Sequence, residues 1–359
     1  MYRLLVLAVA VALVAPADFG RAAREHVAVE QPTIDIVAID LSGRQTNLTD
    51  EPGWNAAPAL AHDGRIAFFS DRDGPGDLYV MDDGGGNVLR LTNGAGVALG
   101  EDLEWSHASW SPEGDKIAFD GTYLANGPPC EQHCAGWAVQ TIGAEGDGLQ
   151  QIALGARAPA WSPNGRSLAY ESDYDAYSGW ARGVTITRLD GSASIRVNAF
   201  NTEGDTGPVW SPRGNKLAFQ AHPSEGSPTW VYTVRADGSE KRRLARGHKA
   251  VWSPEGRSLA FVDDDRLFTI NTDGTHKRLL SRRGELVVSA AWSPRTGAIA
   301  YIAGTTPAPG GASNLRVETV TPDGKHVHVL ARERAATQIW GSPAWAPHSA
   351  RILIAVEAH

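Results

Sequence analysis

Apolar and polar residues alternate along this chain in short runs, and almost nowhere do they recur at helical spacing. Ile34-Asp35-Ile36-Val37-Ala38-Ile39-Asp40, Leu78-Tyr79-Val80-Met81, Trp230-Val231-Tyr232-Thr233-Val234 and Leu267-Phe268-Thr269-Ile270 each read as a strand. Turn dipeptides follow three of them: Asp83-Gly84, Asp237-Gly238 and Asp273-Gly274. Between such hairpins lies a second kind, built on Trp-Ser-Pro-x-Gly-x-x-(Leu/Ile)-Ala-(Phe/Tyr). It begins at Trp110, Trp161, Trp210 and Trp252, while Trp292 opens a version whose glycine, Gly297, comes one place late. Degenerate copies occupy residues 60–68 and 345–354. From Trp110 onward the spacings are 51, 49, 42, 40 and 53 residues, a period that fixes an architecture before any local assignment does. In each copy a strand ends in Trp, the proline presets one turn angle, the glycine supplies a positive φ, and a second strand returns.

Two hairpins make a four-stranded blade. Hairpins carrying the Trp-Ser-Pro element or its relics number seven, near residues 54–70, 104–120, 156–171, 206–220, 248–263, 288–302 and 341–356. The other kind also numbers seven, near 34–49, 78–92, 136–153, 182–197, 229–245, 266–280 and 315–331. The chain opens on an outer hairpin and ends on an inner one, so the last blade is shared by both ends. The expected fold is therefore all-β, a seven-bladed β-propeller of four-stranded antiparallel blades over residues 34–357, with the last blade closed by the N- and C-terminal hairpins. A closed ring leaves only short outer edges, whereas a linear solenoid would leave two orphan half-blades and need polar caps.

The repeat, followed by Ser70-Asp71-Arg72-Asp73-Gly74 and Asp77-Leu78-Tyr79-Val80-Met81-Asp82, resembles that of the TolB-like β-propellers over nearly the whole chain after its leader. The resemblance implies a propeller scaffold without fixing one function. Six-bladed relatives carry an additional N-terminal α/β domain; too few residues precede Ile34 here for such a domain, and seven blades are counted.

The first residues read Met1-Tyr2-Arg3, an apolar run over 4–14, then Ala15-Pro16-Ala17, the layout of a secretory signal peptide over residues 1–17. Eleven apolar residues in a helix rise only about 16 Å, half of a bilayer core, so no membrane span is expected. Residues 18–33 then form a short leader to the propeller. The formal charge of -8 and the lack of any long Lys/Arg run argue against nucleic acid or an anionic membrane as partner. The two cysteines, Cys130 and Cys134, flank Glu131-Gln132-His133; in an oxidising compartment they are expected to form a disulfide that pins one loop, the alternative being a metal site with His133. Asp71, Asp73 and Asp77 have the chemistry to hold Ca²⁺ but lack the twelve-residue loop and terminal Glu of the helix-loop-helix calcium motif, and read as a hairpin turn.

Trp110, Trp161, Trp210, Trp252, Trp292 and Trp345 recur once per blade and so read as structural packing positions. An asymmetric ligand needs residues that break the repeat. The segments entering the inner strands do so, and in a closed ring they gather at one mouth of the central channel. Trp54, Glu104, Trp105, His107, Arg157, Asp205, His248, Lys249 and Trp340 are the candidate binding rim, aromatic and charged as recognition surfaces are. No Gly-x-Ser-x-Gly nucleophile motif is present and no catalytic residue or cofactor is assigned. The function expected is an exported, monomeric, non-catalytic module that binds a protein or peptide in the periplasm or outside the cell. The alternative is a metal-dependent polysaccharide (uronate) lyase, with His107, His248 and Arg157 near the substrate, because some propellers resembling this one hold a divalent ion on channel-facing histidines.

Overall fold

The computed structural model describes residues 33–74, 76–93, 106–124, 135–172, 183–197, 207–222, 227–305, 313–332, 339–348 and 350–358. Among these, 28 strands form seven four-stranded antiparallel sheets, and no helix occurs. The expected signal peptide over 1–17, the leader over 18–33 except Thr33, and the Cys130/Cys134 pair lie outside the described residues. Numbered by their inner strands, blades 1 to 6 occupy residues 55–90, 108–154, 156–196, 209–246, 248–279 and 285–332. Blade 7 combines Ile339–Trp345 and Arg351–Ala358 with Thr33–Asp40 and Gln45–Asn47. Thr33–Asp40 pairs with Arg351–Ala358 in eight residue pairs, from Thr33 opposite Ala358 to Asp40 opposite Arg351, which closes the ring.

Each Ser-Pro-x-Gly hairpin is built alike. In blade 2 the Ser111 amide donates to the Lys116 carbonyl, and the Lys116 amide donates to Ser111 Oγ at 3.0 Å. Gly114, with φ +72°, takes the left-handed conformation that lets its own amide reach back to the Ser111 carbonyl. Ser162, Ser211 and Ser253 accept in the same way from the residue five places on.

The core lies between blades rather than in one central mass. One cluster packs Ala67, Phe69 and Leu78 of blade 1 against Trp110, Ile117, Phe119 and Ile142 of blade 2, and comparable clusters join the other neighbours. Trp110, Trp161, Trp252 and Trp345 are buried; Trp210 and Trp292 are half-buried. The indoles also tie the ring together. Trp110 Nε1 donates to Ala59 O at 3.0 Å, Trp210 to Ala160 O at 3.1 Å, Trp252 to Val209 O at 3.0 Å, and Trp345 to Ala291 O at 3.1 Å. Every acceptor sits one residue before the corresponding repeat position in the preceding blade. Each of these four Trp adds a directional bond to the apolar area it buries.

Candidate functional site at the channel mouth

The inner strands line a central channel enclosing about 380 Å³. Its wall is made of small residues, among them Ala56, Ala57, Ala108, Gly207, Ala290 and Gly341, and among the described lining residues His107 and Lys249 are the basic ones. Small side chains are what the geometry demands. At Gly207 a Cβ would lie 2.6 Å from Ala158 Cβ, so the inner strands of blades 3 and 4 approach closely only because Gly207 has none.

Several inner strands are bulged where they face the channel. The pairing register shifts between Ala56 and Ala59, between Arg157 and Ala160, and between His248 and Val251. Within these shifts Ala57, Ala158 and Lys249 take left-handed φ values of 51°, 49° and 52°. A bulge takes amides out of the ladder, and buried amides need other acceptors. Two come from the blade before: the Ala158 amide donates to Asp120 Oδ2 at 2.7 Å, and the Lys249 amide to Gln220 Oε1 at 2.9 Å.

Asp120 is the centre of this arrangement. Fully buried, it also accepts the His107 amide at 2.6 Å on Oδ1 and faces His107 Nδ1 at 3.1 Å through Oδ2, so one carboxylate joins blade 2 to blade 3 and orients an imidazole at the channel. Burial disfavours the His107 imidazolium, but the Asp120 charge and its hydrogen bond outweigh burial, and Glu171 adds to them against Arg157; the pKa is raised above the ordinary histidine value. Buried Glu171 lies opposite Arg157 in the strand register, and the Arg157 guanidinium stacks 5.0 Å over Trp137. Lys249 Nζ donates to Val288 O at 3.1 Å, reaching across to blade 6. His248 has a lowered pKa, first through burial and then through Lys249.

Of the rim residues expected from sequence, His107 and Lys249 line the channel. Arg157 lies near enough to His107 to oppose its charge, and half-buried His248 pairs with Val262. Trp54 packs on the apolar cluster of blades 1 and 2, its amide bonded to Asp71 Oδ1 at 2.6 Å. Glu104, Trp105 and Asp205 lie outside the described residues; Trp340 is on the last inner strand, opposite Ala355, with its side chain outside the description. Sequence reasoning missed Asp120, Glu171 and Gln220. They occupy one place in three successive blades, directly after the Phe or Tyr that closes the repeat, where blades 1, 5 and 6 carry Phe69, Val262 and Ile302. A polar residue at a position otherwise apolar was the available signal.

The three aspartates of the turn after blade 1's second strand diverge. Asp71 takes the Trp54 amide, Asp73 the Tyr79 hydroxyl at 2.9 Å, and Asp77 pairs with Arg90 and Thr92. Among the described residues no three His, Cys, Asp or Glu side chains group as a metal site, and no helix is long and apolar enough to cross a membrane.

No family model matches the chain. The curated TolB homolog of Chlorobaculum tepidum is 30% identical to it over 139 residues, which is 35% of this chain and 26% of that protein. A TolB structure from Agrobacterium tumefaciens superposes with a TM-score of 0.56 at 16% identity, covering 92% of this chain and 99% of that one. The chain is a β-propeller whose repeat is similar to TolB's. The match to the curated relative spans about a quarter of that protein's length. An oligogalacturonate lyase from Vibrio parahaemolyticus superposes on this TolB-like propeller with a TM-score of 0.61 at 10% identity, over 91% of this chain and 97% of that one. At such identities the two superpositions speak for the fold alone.

Proposed function

We propose that this TolB-like propeller is an exported, monomeric binding module, without catalytic machinery of its own, that receives a segment of a protein or peptide partner at the channel mouth. The observation that carries the reading is the one-sided polar set of three successive blades, Asp120 with His107, Glu171 with Arg157, and Gln220 with Lys249, around a channel otherwise walled by small residues. A bore of this size falls in the range of about 300–1,000 Å³ found for ligand sites. With the imidazole of His107 and the ammonium group of Lys249 in its described lining, it suits an extended segment bearing a carboxylate. The expected leader over 1–17 supports export to the periplasm or the cell exterior.

The test is capture of partners from a solubilised envelope and culture-fluid extract by immobilised chain beginning at Asp18, with Lys249→Glu and a Trp105→Ala/Trp340→Ala double variant alongside. A partner held by the wild type and lost by at least tenfold in folded Lys249→Glu supports the channel reading. Undiminished capture by both variants moves the site off the mouth. The lyase alternative draws on the channel-facing histidine and would replace the binding reading if metal-supplemented protein cleaved oligogalacturonate.

A further inference from the structure

The net charge of -8 conceals a division across the ring. Residues 1–240 hold 16 Lys and Arg against 31 Asp and Glu, a net of -15; residues 241–359 hold 17 against 10, a net of +7. The excess positive charge gathers on the outer strands of blades 4, 5 and 6 and the turns beside them. The stretches 241–246, 276–283 and 325–332 contain ten Lys and Arg, three His and no acidic residue, and all thirteen of these side chains are exposed. The corresponding stretches of the other four blades, 44–49, 88–92, 149–154 and 193–197, contain three cations, Arg44, Arg90 and Arg196. Equivalent places on the three consecutive outer strands hold Arg242, Arg278 and His328, facing Thr233, Thr269 and Thr319. No long run of Lys or Arg exists in the sequence; three short ones from separate blades are brought side by side by the ring.

Part of this charge has structural work. Arg242 Nη1 donates to Asp273 O at 2.9 Å and Arg278 Nη1 to Asp323 O at 3.1 Å, each fastening one blade to the next. Asp263 pairs with Lys277 at 2.8 Å and Arg246 at 3.4 Å, and Arg282 approaches Glu285 and Glu318. Lys325 stands 3.6 Å from Asp323, and Arg243 lies 4.3 Å over Trp230. A guanidinium has five N–H donors, and the two inter-blade bridges each use one.

From this we infer that the outer edge of blades 4 to 6 binds an acidic polysaccharide. Three blades of seven carry the cations through an arc of roughly 100° on a convex rim. A flat membrane or the rim of another folded protein touches such an edge at one blade, whereas a flexible chain follows it across all three. Single-stranded nucleic acid, also flexible, is held by bases stacked on exposed aromatic rings. The exposed large apolar side chain on this arc is Leu279, and Trp230 is half-buried beneath Arg243. Arginine forks on a surface without stacking platforms match carboxylate and sulfate groups strung along a sugar backbone.

Heparin fragments are the probe, with neutral dextran, duplex and single-stranded DNA, and phosphatidylglycerol vesicles for comparison, read by fluorescence anisotropy or co-sedimentation. Wild type is expected to bind heparin in preference to the others. Arg242→Gln/Arg243→Gln/Arg278→Gln/Arg283→Gln is expected to lose at least tenfold in affinity, with a plot of log K against log salt shallower by roughly three. Lys241→Gln/Arg283→Gln leaves the Arg242 and Arg278 bridges in place and is expected to lose about threefold by the same counterion argument, which keeps the test decisive if the fourfold variant fails to fold. Unchanged affinity in the folded variants, equal binding of dextran, or tighter binding of DNA or vesicles than of heparin overturns the inference.

Discussion

At the scale of single residues, Asp120 has the most to lose. Replacing it with Asn keeps the shape but removes the charge that His107 faces and, with one oxygen exchanged for an NH2, the acceptor for one of the two amides. We expect Asp120→Asn to lower unfolding free energy by about 2 kcal/mol, read by urea titration. The same pair sets a pH dependence. Because the His107 pKa is raised on folding, its stabilisation is complete below the ordinary histidine value of about 6.5 and is lost as pH rises through the folded-state value. His248, with a lowered pKa, works with the opposite sign, so the readout is the difference between wild type and Asp120→Asn: the His107 component is expected in the first and absent from the second. The tryptophans give a second comparison. Trp161 and Trp292 have buried indole nitrogens without a protein partner among the described residues, while Trp110, Trp210, Trp252 and Trp345 each bond across to the preceding blade. Trp→Phe at Trp252 is expected to cost about 1 kcal/mol more than at Trp292, measured by the same titration. The repeated Trp was legible in the sequence as a packing residue because it is periodic. Asp120, Glu171 and Gln220 were not found, because a search for what recurs stops at the last recurring letter and they stand one place beyond it.

At the scale of elements, the Ser-Pro-x-Gly hairpins were readable because each carries its own turn chemistry: a proline, a left-handed glycine and a serine whose hydroxyl closes the loop. The bulges of the inner strands carry no such mark. Ala57, Ala158 and Lys249 take left-handed φ without being glycine, and the amides of Ala158 and Lys249 are held by side chains of the neighbouring blade. A local pattern cannot announce a conformation that only the ring imposes. Between blades 3 and 4 the contact is close enough to test: Gly207→Ala would set a Cβ 2.6 Å from Ala158 Cβ and 2.8 Å from its carbonyl oxygen. A loss of about 1–3 kcal/mol in thermal or urea unfolding is expected, since backbone on one side and a buried Ala on the other leave little room to yield.

At the scale of the whole molecule, blade number and closure were legible because inner and outer hairpins count to seven each and are offset by one, and the expected 34–357 differs from the observed strands by one residue at either end. The charge division was hidden by a single net value, since distance around a ring has no counterpart in distance along a chain. Closure also makes a prediction. A chain beginning at Leu41 lacks the strand that pairs with Arg351–Ala358, and should melt at least 10 °C lower; a synthetic peptide of residues 33–49 supplied in trans should restore most of the loss. The eight residue pairs that make this seam join positions more than 300 residues apart, and closing a loop of that length costs about 5 kcal/mol in chain entropy. Timing follows from that cost. If the chain leaves the cell amino end first, Ile34, Ile36 and Ile39 emerge early and then wait, unpaired and apolar, until the final strand has come through. Whatever meets the polypeptide on the far side, chaperone or protease, has that interval in which to act.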